Sequence, residues 1–239
     1  MKIAILDDYL GVALELADWK QLSGDVELKV FREPFSDELE AASSLQGFEV
    51  IVAMRERTGF PASLLKQLPE LKLLVTTGMR NLSIDMEAAA EQGVVVCGTG
   101  MLGYPTAELT WALILALARN LNHEDQSMKE GNWHISLGTG LREKTLGLYG
   151  LGKLGSQVAR IGRAFGMHVI AWSSHLTQER CSEVEVDLVS KEELFRQSDF
   201  LSIHLVLSER TRGSVGQMEL NWMKPGTYLV NTSRGPIVR

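Results

Sequence analysis

The 239-residue chain has two cysteines, Cys97 and Cys181, far apart and without metal-ligand spacing. That excludes a disulfide scaffold and a zinc ribbon as its organising principle. A long apolar run is also missing. The most hydrophobic stretch, around residues 113–118, falls well short of the ~20 residues that a membrane-crossing helix needs. Asp7 and Asp8 end the N-terminal apolar segment early, so no signal peptide is expected. No five basic residues follow one another, and 24 Lys and Arg face 30 Asp and Glu, a formal charge of −6. A phosphate backbone would be repelled, so nucleic acid is not an expected partner. No metal site and no membrane association are expected, and a reducing cytoplasm is the simplest location.

What is present suits one large or two modest globular domains, with 45% hydrophobic and 23% charged residues. Short β-branched runs alternate with helical patterns, the signature of βαβ units and an α/β fold with parallel sheets. Strands are expected at 3–6, 27–31, 49–54, 72–76 and 94–97. Helices are expected at 61–68, with Pro61 in the first turn, and from an N-cap at Ser83 to a C′ glycine at Gly93. Five strands with four crossings make a flavodoxin-like lobe, residues 1–100, closed by a Gly98-Thr99-Gly100 hinge.

In the remainder, 101–239, an apolar helix is expected over 106–120. Its Glu108, Leu109, Ala112, Leu113, Ala116 and Leu117 repeat at helical spacing. It is hydrophobic nearly all round, so burial on more than one side is expected. Residues 122–144, with Trp133 and several glycines, read as an extended arm, either a subunit interface or a loop folded back on its own domain. Further strands are expected at 145–149, 168–172, 187–189, 199–205 and 227–232, with a helix from 156 to about 165.

Gly150-Leu151-Gly152-Lys153-Leu154-Gly155 fits G-x-G-x-x-G between a strand and a helix. In that setting Gly150 permits a tight turn, Gly152 lets backbone approach a pyrophosphate, and Gly155 lets helix pack on strand. The phosphates would rest on the helix N-terminus. The acid expected about 20 residues on, to hold the adenosine ribose, is missing. Ser173, Ser174 and His175 stand there instead. They leave NAD and NADP both open, with a slight lean to NADP.

With these motifs in view, the chain resembles the D-isomer-specific 2-hydroxyacid dehydrogenases, the phosphoglycerate, glyoxylate and D-lactate dehydrogenase family. Three segments carry the resemblance. They are the glycine loop with Val158-Ala159, the strand Ser198-Asp199-Phe200 through His204-Leu205, and Asn231-Thr232-Ser233-Arg234-Gly235, which matches N-x-[SA]-R-G. Val206 stands where proline is usual. The resemblance implies a Rossmann NAD(P)-binding domain over 101–239 and a substrate-binding lobe over 1–100. It implies hydride transfer between nicotinamide and a small 2-keto or 2-hydroxy acid. The apolar 106–120 helix and the 121–144 arm with Trp133 are the expected homodimer contact. Glyoxylate, hydroxypyruvate, pyruvate and branched-chain keto acids all remain open as substrates.

By the same resemblance Arg234 binds the keto acid's carboxylate and carbonyl, where a fixed fork of donors suits both oxygens. The first lobe would supply the other wall through Arg55 and Glu56 of the Met54–Thr58 turn, and through Gly78 and Met79 of the Thr77–Arg80 turn. Glu56 replaces a residue that is often small. Cofactor contacts are implied for Thr106, Gly150, Gly152, Lys153, Leu154, Gly155, Ser173, Ser174, His204, Leu205, Thr211, Thr232 and Ser233. The family's general-acid histidine and its glutamate partner lie beyond the N-x-[SA]-R-G motif, and after it this sequence runs only through Pro236-Ile237-Val238-Arg239. Arginine orients a keto acid but gives up no proton at neutral pH. Two readings follow: a C-terminally truncated dehydrogenase with an incomplete Rossmann domain, lacking also the terminal helix that returns to the first lobe, or a catalytically inactive NAD(P)-binding, dimerising module.

Overall fold

Ten strands, each parallel to its neighbours, form two separate five-stranded sheets, one in each of the units Met1–Met101 and Leu102–Arg239. The computed structural model describes all residues from 1 to 239.

In the first unit the chain runs β1 (Lys2–Ile5), β2 (Glu27–Val30), α1 (Glu38–Leu45), β3 (Val50–Ala53), α2 (Ala62–Leu65), β4 (Leu73–Thr76), α3 (Met86–Glu91) and β5 (Val95–Gly98). The strand order is β2-β1-β3-β4-β5, the flavodoxin-like order. A row of aligned residues, Ala4, Ile51, Leu74 and Val96, crosses four strands on one face. Against that face pack Ala41, Ala42 and Leu45 of α1, Leu64 and Leu65 of α2, and Ala88 and Ala89 of α3. Right-handed crossovers require this: the connections from β2 onward all move in one direction, so they share one face. The β1–β2 connection alone moves the other way. It carries only a 3-10 turn, Trp19–Gln21, and Val50, Val52, Leu73 and Val75 on its side are only half-buried.

Helix α3 does not begin at Ser83. Asp85 is its N-cap, accepting from the Ala88 N–H at 3.0 Å. Ser83 instead precedes an isolated bridge between Phe60 and Ile84, its carbonyl accepting from the Phe60 N–H at 2.7 Å. Gly93 ends the helix with φ 74°, as a C′ glycine does.

The second unit runs α4 (Pro105–Ala118), α5 (Leu121–Lys129), β6 (Thr145–Tyr149), α6 (Lys153–Ala164), β7 (His168–Trp172), α7 (Gln178–Ser182), β8 (Asp187–Leu188), α8 (Lys191–Gln197), β9 (Phe200–Ile203), α9 (Gln217–Trp222) and β10 (Tyr228–Asn231). Its order, β10-β9-β6-β7-β8, is the Rossmann arrangement. Both faces are covered. Leu146, Leu148, Val169, Ala171 and Phe200 pack against α4, α6 and α7, whereas Tyr149, Ile170, Leu201 and Ile203 pack against α8 and α9.

Three expectations need correction here. Helix α6 starts at Lys153 rather than 156, because the Ser156 N–H already bonds the Gly152 carbonyl. The first part of the expected arm is helix α5, entered through Asn120 in the left-handed region (φ 53°) and supported by a Lys129–Asp125 pair one turn apart. Helix α4 buries Ala107, Thr110, Trp111, Ile114 and Ala118, so the repeat through Leu109, Leu113 and Leu117 is its exposed side. Trp133 is 79% and Leu137 89% exposed beyond it. No helix is long and apolar enough to cross a membrane.

Candidate functional site

Parallel strands place all their carboxyl ends along one edge. In the second sheet the chain order reverses between β9 and β6, and in open α/β sheets a crevice opens at that point. Besides the short 189–190 link after β8, four loops leave this edge: 150–152 after β6, 173–177 after β7, 204–216 after β9 and 232–234 after β10. They carry Gly150, Gly152, Ser173, Ser174, His204, Leu205, Thr211, Thr232, Ser233 and Arg234. Lys153, Leu154 and Gly155 open α6. Thr106 lies in the first turn of α4. Its carbonyl accepts from the Thr110 hydroxyl at 2.8 Å, and that hydroxyl is 2.8 Å from Thr232 Oγ1.

The glycine turn has the geometry that its residues demand. Gly150 has φ 110°, in the region that favours glycine, and its N–H donates to the Trp172 carbonyl at 2.9 Å. A Cβ on Gly155 would overlap the Gly150 carbonyl oxygen. Gly152 is the N-cap of α6, extended and without any side chain that caps the helix. The first N–H groups of α6 therefore have no acceptor within the helix, and the dipole favours an anion there. Nothing lies within 4 Å of where a Gly152 Cβ would stand. Free donors with open access fit the pyrophosphate of a dinucleotide. Lys153 lays its ammonium against Gly103, at the approach to α4.

The loop after β9 packs on that turn. His204 Nε2 is 2.9 Å from Ser202 Oγ, whereas Nδ1 is buried without a hydrogen-bond partner. Burial pushes the imidazole pKa down from 6.5 to about 4, so the ring is neutral at pH 7. Leu205 joins the apolar cluster on the α8 face. Thr211 closes its own turn, accepting from the Ser208 N–H at 2.8 Å and donating to the Val206 carbonyl at 2.7 Å.

Past the end of β7, Ser173 is half-buried while Ser174 and His175 are exposed. Sequence reading missed Arg210, which the β9 loop brings to the same end: its Nη1 lies 2.9 Å from His175 Nε2. The two are 35 positions apart, and no spacing rule connects them. At the end of β10, Asn231 holds the turn that presents Arg234. Its Nδ2 donates to the Arg234 carbonyl at 2.9 Å, and its Oδ1 accepts from the Ser233 N–H at 3.0 Å. Arg234 is half-buried, with Nη1 donating to the Ser233 carbonyl at 3.0 Å.

The first unit gathers a second set at its own carboxyl edge. Arg55 has φ 58°, and the turn is fixed by its N–H to Thr77 Oγ1 at 3.1 Å and by Asn81 Nδ2 to its carbonyl at 2.5 Å. Glu56 pairs with it at 3.9 Å. A Cβ on Gly78 would overlap the Arg55 guanidinium. The Gly78 N–H donates to Thr99 Oγ1 at 2.9 Å, and Met79 and Arg80 beside it are exposed. Sequence reading used Asp7 only as a break. The structure buries it with φ 58°, accepting from Thr58 Oγ1 at 2.8 Å, while its carbonyl accepts from Arg57 Nη1 at 2.8 Å. No cluster of three or more His, Cys, Asp or Glu is arranged to hold a metal ion.

Comparison with known proteins shows the family. Residues 111–239 match the family model of the D-isomer specific 2-hydroxyacid dehydrogenase NAD binding domain. A glyoxylate reductase from Aeropyrum pernix is 43% identical over 185 residues, covering 73% of this chain and 55% of the relative. This chain spans about half the length of the curated relatives it matches. Among solved structures, a phosphoglycerate oxidoreductase from Vibrio cholerae superposes with a TM-score of 0.93 at 38% identity, covering 100% of this chain and 77% of that one. A D-lactate dehydrogenase from Aquifex aeolicus, in complex with NAD and lactic acid, gives 0.74 at 28% identity, over 99% and 70%. The chain belongs to the D-isomer-specific 2-hydroxyacid dehydrogenases.

Proposed function

We propose that this protein is an NAD(P)-dependent oxidoreductase acting on a small 2-keto or 2-hydroxy acid. The observation that carries the reading is the carboxyl edge of the second sheet. One row there holds an uncapped helix N-terminus behind a glycine turn, a polar strand end without an acid, and Arg234 on an asparagine-braced turn. In this reading residues 101–239 bind the dinucleotide through Gly150, Gly152, Lys153, Leu154 and Gly155. Ser173, Ser174, His204, Leu205, Thr211, Thr232, Ser233 and Thr106 line the remainder, and NADP is favoured over NAD by the missing acid. When bound, the dinucleotide supplies the hydride. Arg234 orients the keto acid through paired donors and draws electron density from its carbonyl. Residues 1–100 are the substrate lobe, in which Arg55, Glu56, Gly78 and Met79 are the candidate contacts. The exposed side of α4, with the segment through Trp133 and Leu137, is a homodimer contact.

A second reading is a module that binds dinucleotide and dimerises without turnover of its own. The histidines favour it. His123 is on α5, His134 in the loop after it, His168 at the amino end of β7, His175 in the exposed loop after β7, and His204 is neutral with its Nδ1 enclosed. None lies beside the Arg234 turn in sequence. Fluorescence titration with NADH and NADPH, followed by absorbance loss with glyoxylate, hydroxypyruvate and pyruvate, separates the readings. Turnover supports the first and binding without turnover the second. Absence of both overturns the two together.

A further inference from the structure

We propose that Arg210 and His175 form a subsite for the 2′-phosphate of NADP, so that a phosphate-binding cation from the β9 loop sets cofactor preference. The inference rests on the dinucleotide reading above and adds residues that no motif marks.

Arg210 is exposed, and its only polar side-chain partner is a ring nitrogen, His175 Nε2 at 2.9 Å. A guanidinium has donors only, so Nε2 must be the acceptor. That fixes the ring proton on Nδ1 and leaves His175 a donor. Arg210 keeps its other N–H groups and its full charge without a carboxylate partner. The pair therefore offers a phosphate a charged fork and an imidazole N–H.

Its location decides what would use them. His175 follows β7, the strand next to β6, on the edge where the glycine turn emerges. In this fold the end of that strand meets the adenosine ribose. A carboxylate there binds the 2′-hydroxyl of NAD, whereas an arginine nearby accommodates a 2′-phosphate. Here Ser173 and Ser174 stand in place of the acid, so this strand end carries two hydroxyls and no carboxylate. Charge-assisted bonds to phosphate are about twice as strong as neutral ones, and Arg gives them bidentate geometry.

The test measures dissociation constants for NADPH and NADH, by fluorescence quenching and by calorimetry, on the wild-type chain, Arg210→Gln and Ser173→Asp. Competition by 2′-AMP and 5′-AMP isolates the adenosine end. The wild type is expected to bind NADPH about tenfold tighter than NADH. Arg210→Gln should remove most of that ratio by weakening NADPH and 2′-AMP, leaving NADH and 5′-AMP within twofold. Ser173→Asp should invert the preference. Equal loss of both cofactors in Arg210→Gln, or no loss of either, overturns the subsite while leaving the dinucleotide site standing. Failure of the wild type to bind either cofactor overturns both.

Discussion

His204 makes stability depend on pH in a way that its burial sets. Its ring is neutral in the folded chain, with the pKa lowered from 6.5 to about 4 by burial. Between those values the unfolded chain binds a proton that the folded chain refuses. The contribution is therefore complete above pH 6.5 and is lost as pH falls toward 4. A shift of that size corresponds to at most about 3 kcal/mol, and about 2 kcal/mol of it is lost between pH 7 and pH 5. Carboxylates titrate over the same range, so the wild-type curve alone does not isolate the histidine. The His204→Gln variant does, because glutamine has no charge to gain and keeps a polar group for Ser202. Urea unfolding followed by tryptophan emission is the suitable assay, since Trp111, Trp133, Trp172 and Trp222 all lie in the second unit. The stability difference between wild type and variant should change by about 2 kcal/mol between the two pH values, with the wild type losing more on acidification. Parallel pH curves would refute the reasoning, since they would mean that the folded ring titrates as it does in water.

Gly155→Ala places a Cβ on the Gly150 carbonyl, so α6 must shift from the β6 turn; weakening of NADPH by about tenfold or more, with a loss of roughly 1–3 kcal/mol in unfolding, is expected. Asn231→Ala removes two hydrogen bonds from the Arg234 turn, at about 1 kcal/mol each. It should weaken oxamate, a pyruvate analogue, on the cofactor-bound chain while NADH affinity stays within twofold. Leu113→Asp on the exposed side of α4 should leave the melting temperature of the isolated chain nearly unchanged and convert a sedimenting dimer into monomer. An unchanged sedimentation coefficient would remove that face as the dimer contact.

Much of this was legible in the sequence because local physics decides it. Gly150 and Gly155 stand where a positive φ and a carbonyl contact allow nothing larger, so the motif and the structure coincide. The flavodoxin-like order of the first sheet agrees with five strands joined by four crossings, and the Rossmann order of the second with its glycine motif. What stayed hidden depends on tertiary contacts. Helix α4 is apolar on every side, so its periodicity did not reveal whether Leu113 or Ile114 faces the core. Ser83 has the chemistry of an N-cap, but the Phe60–Ile84 bridge extends the chain past it and leaves the role to Asp85. Helix α5 is polar enough to read as an arm. Its order comes from Glu124, which accepts from the Ser136 N–H at 2.8 Å, a contact that no pattern announces. Arg210 was invisible for the same reason, meeting His175 only after β7 and β9 are placed in one sheet.

The most direct test of the central claim is hydrogen exchange of the purified chain with and without saturating NADPH. Slowed exchange is expected, concentrated at residues 150–156, 173–177, 204–211 and 232–234, the loops at the carboxyl edge of the second sheet. Protection confined to other segments, or none at a concentration that should saturate a dinucleotide site, would contradict it.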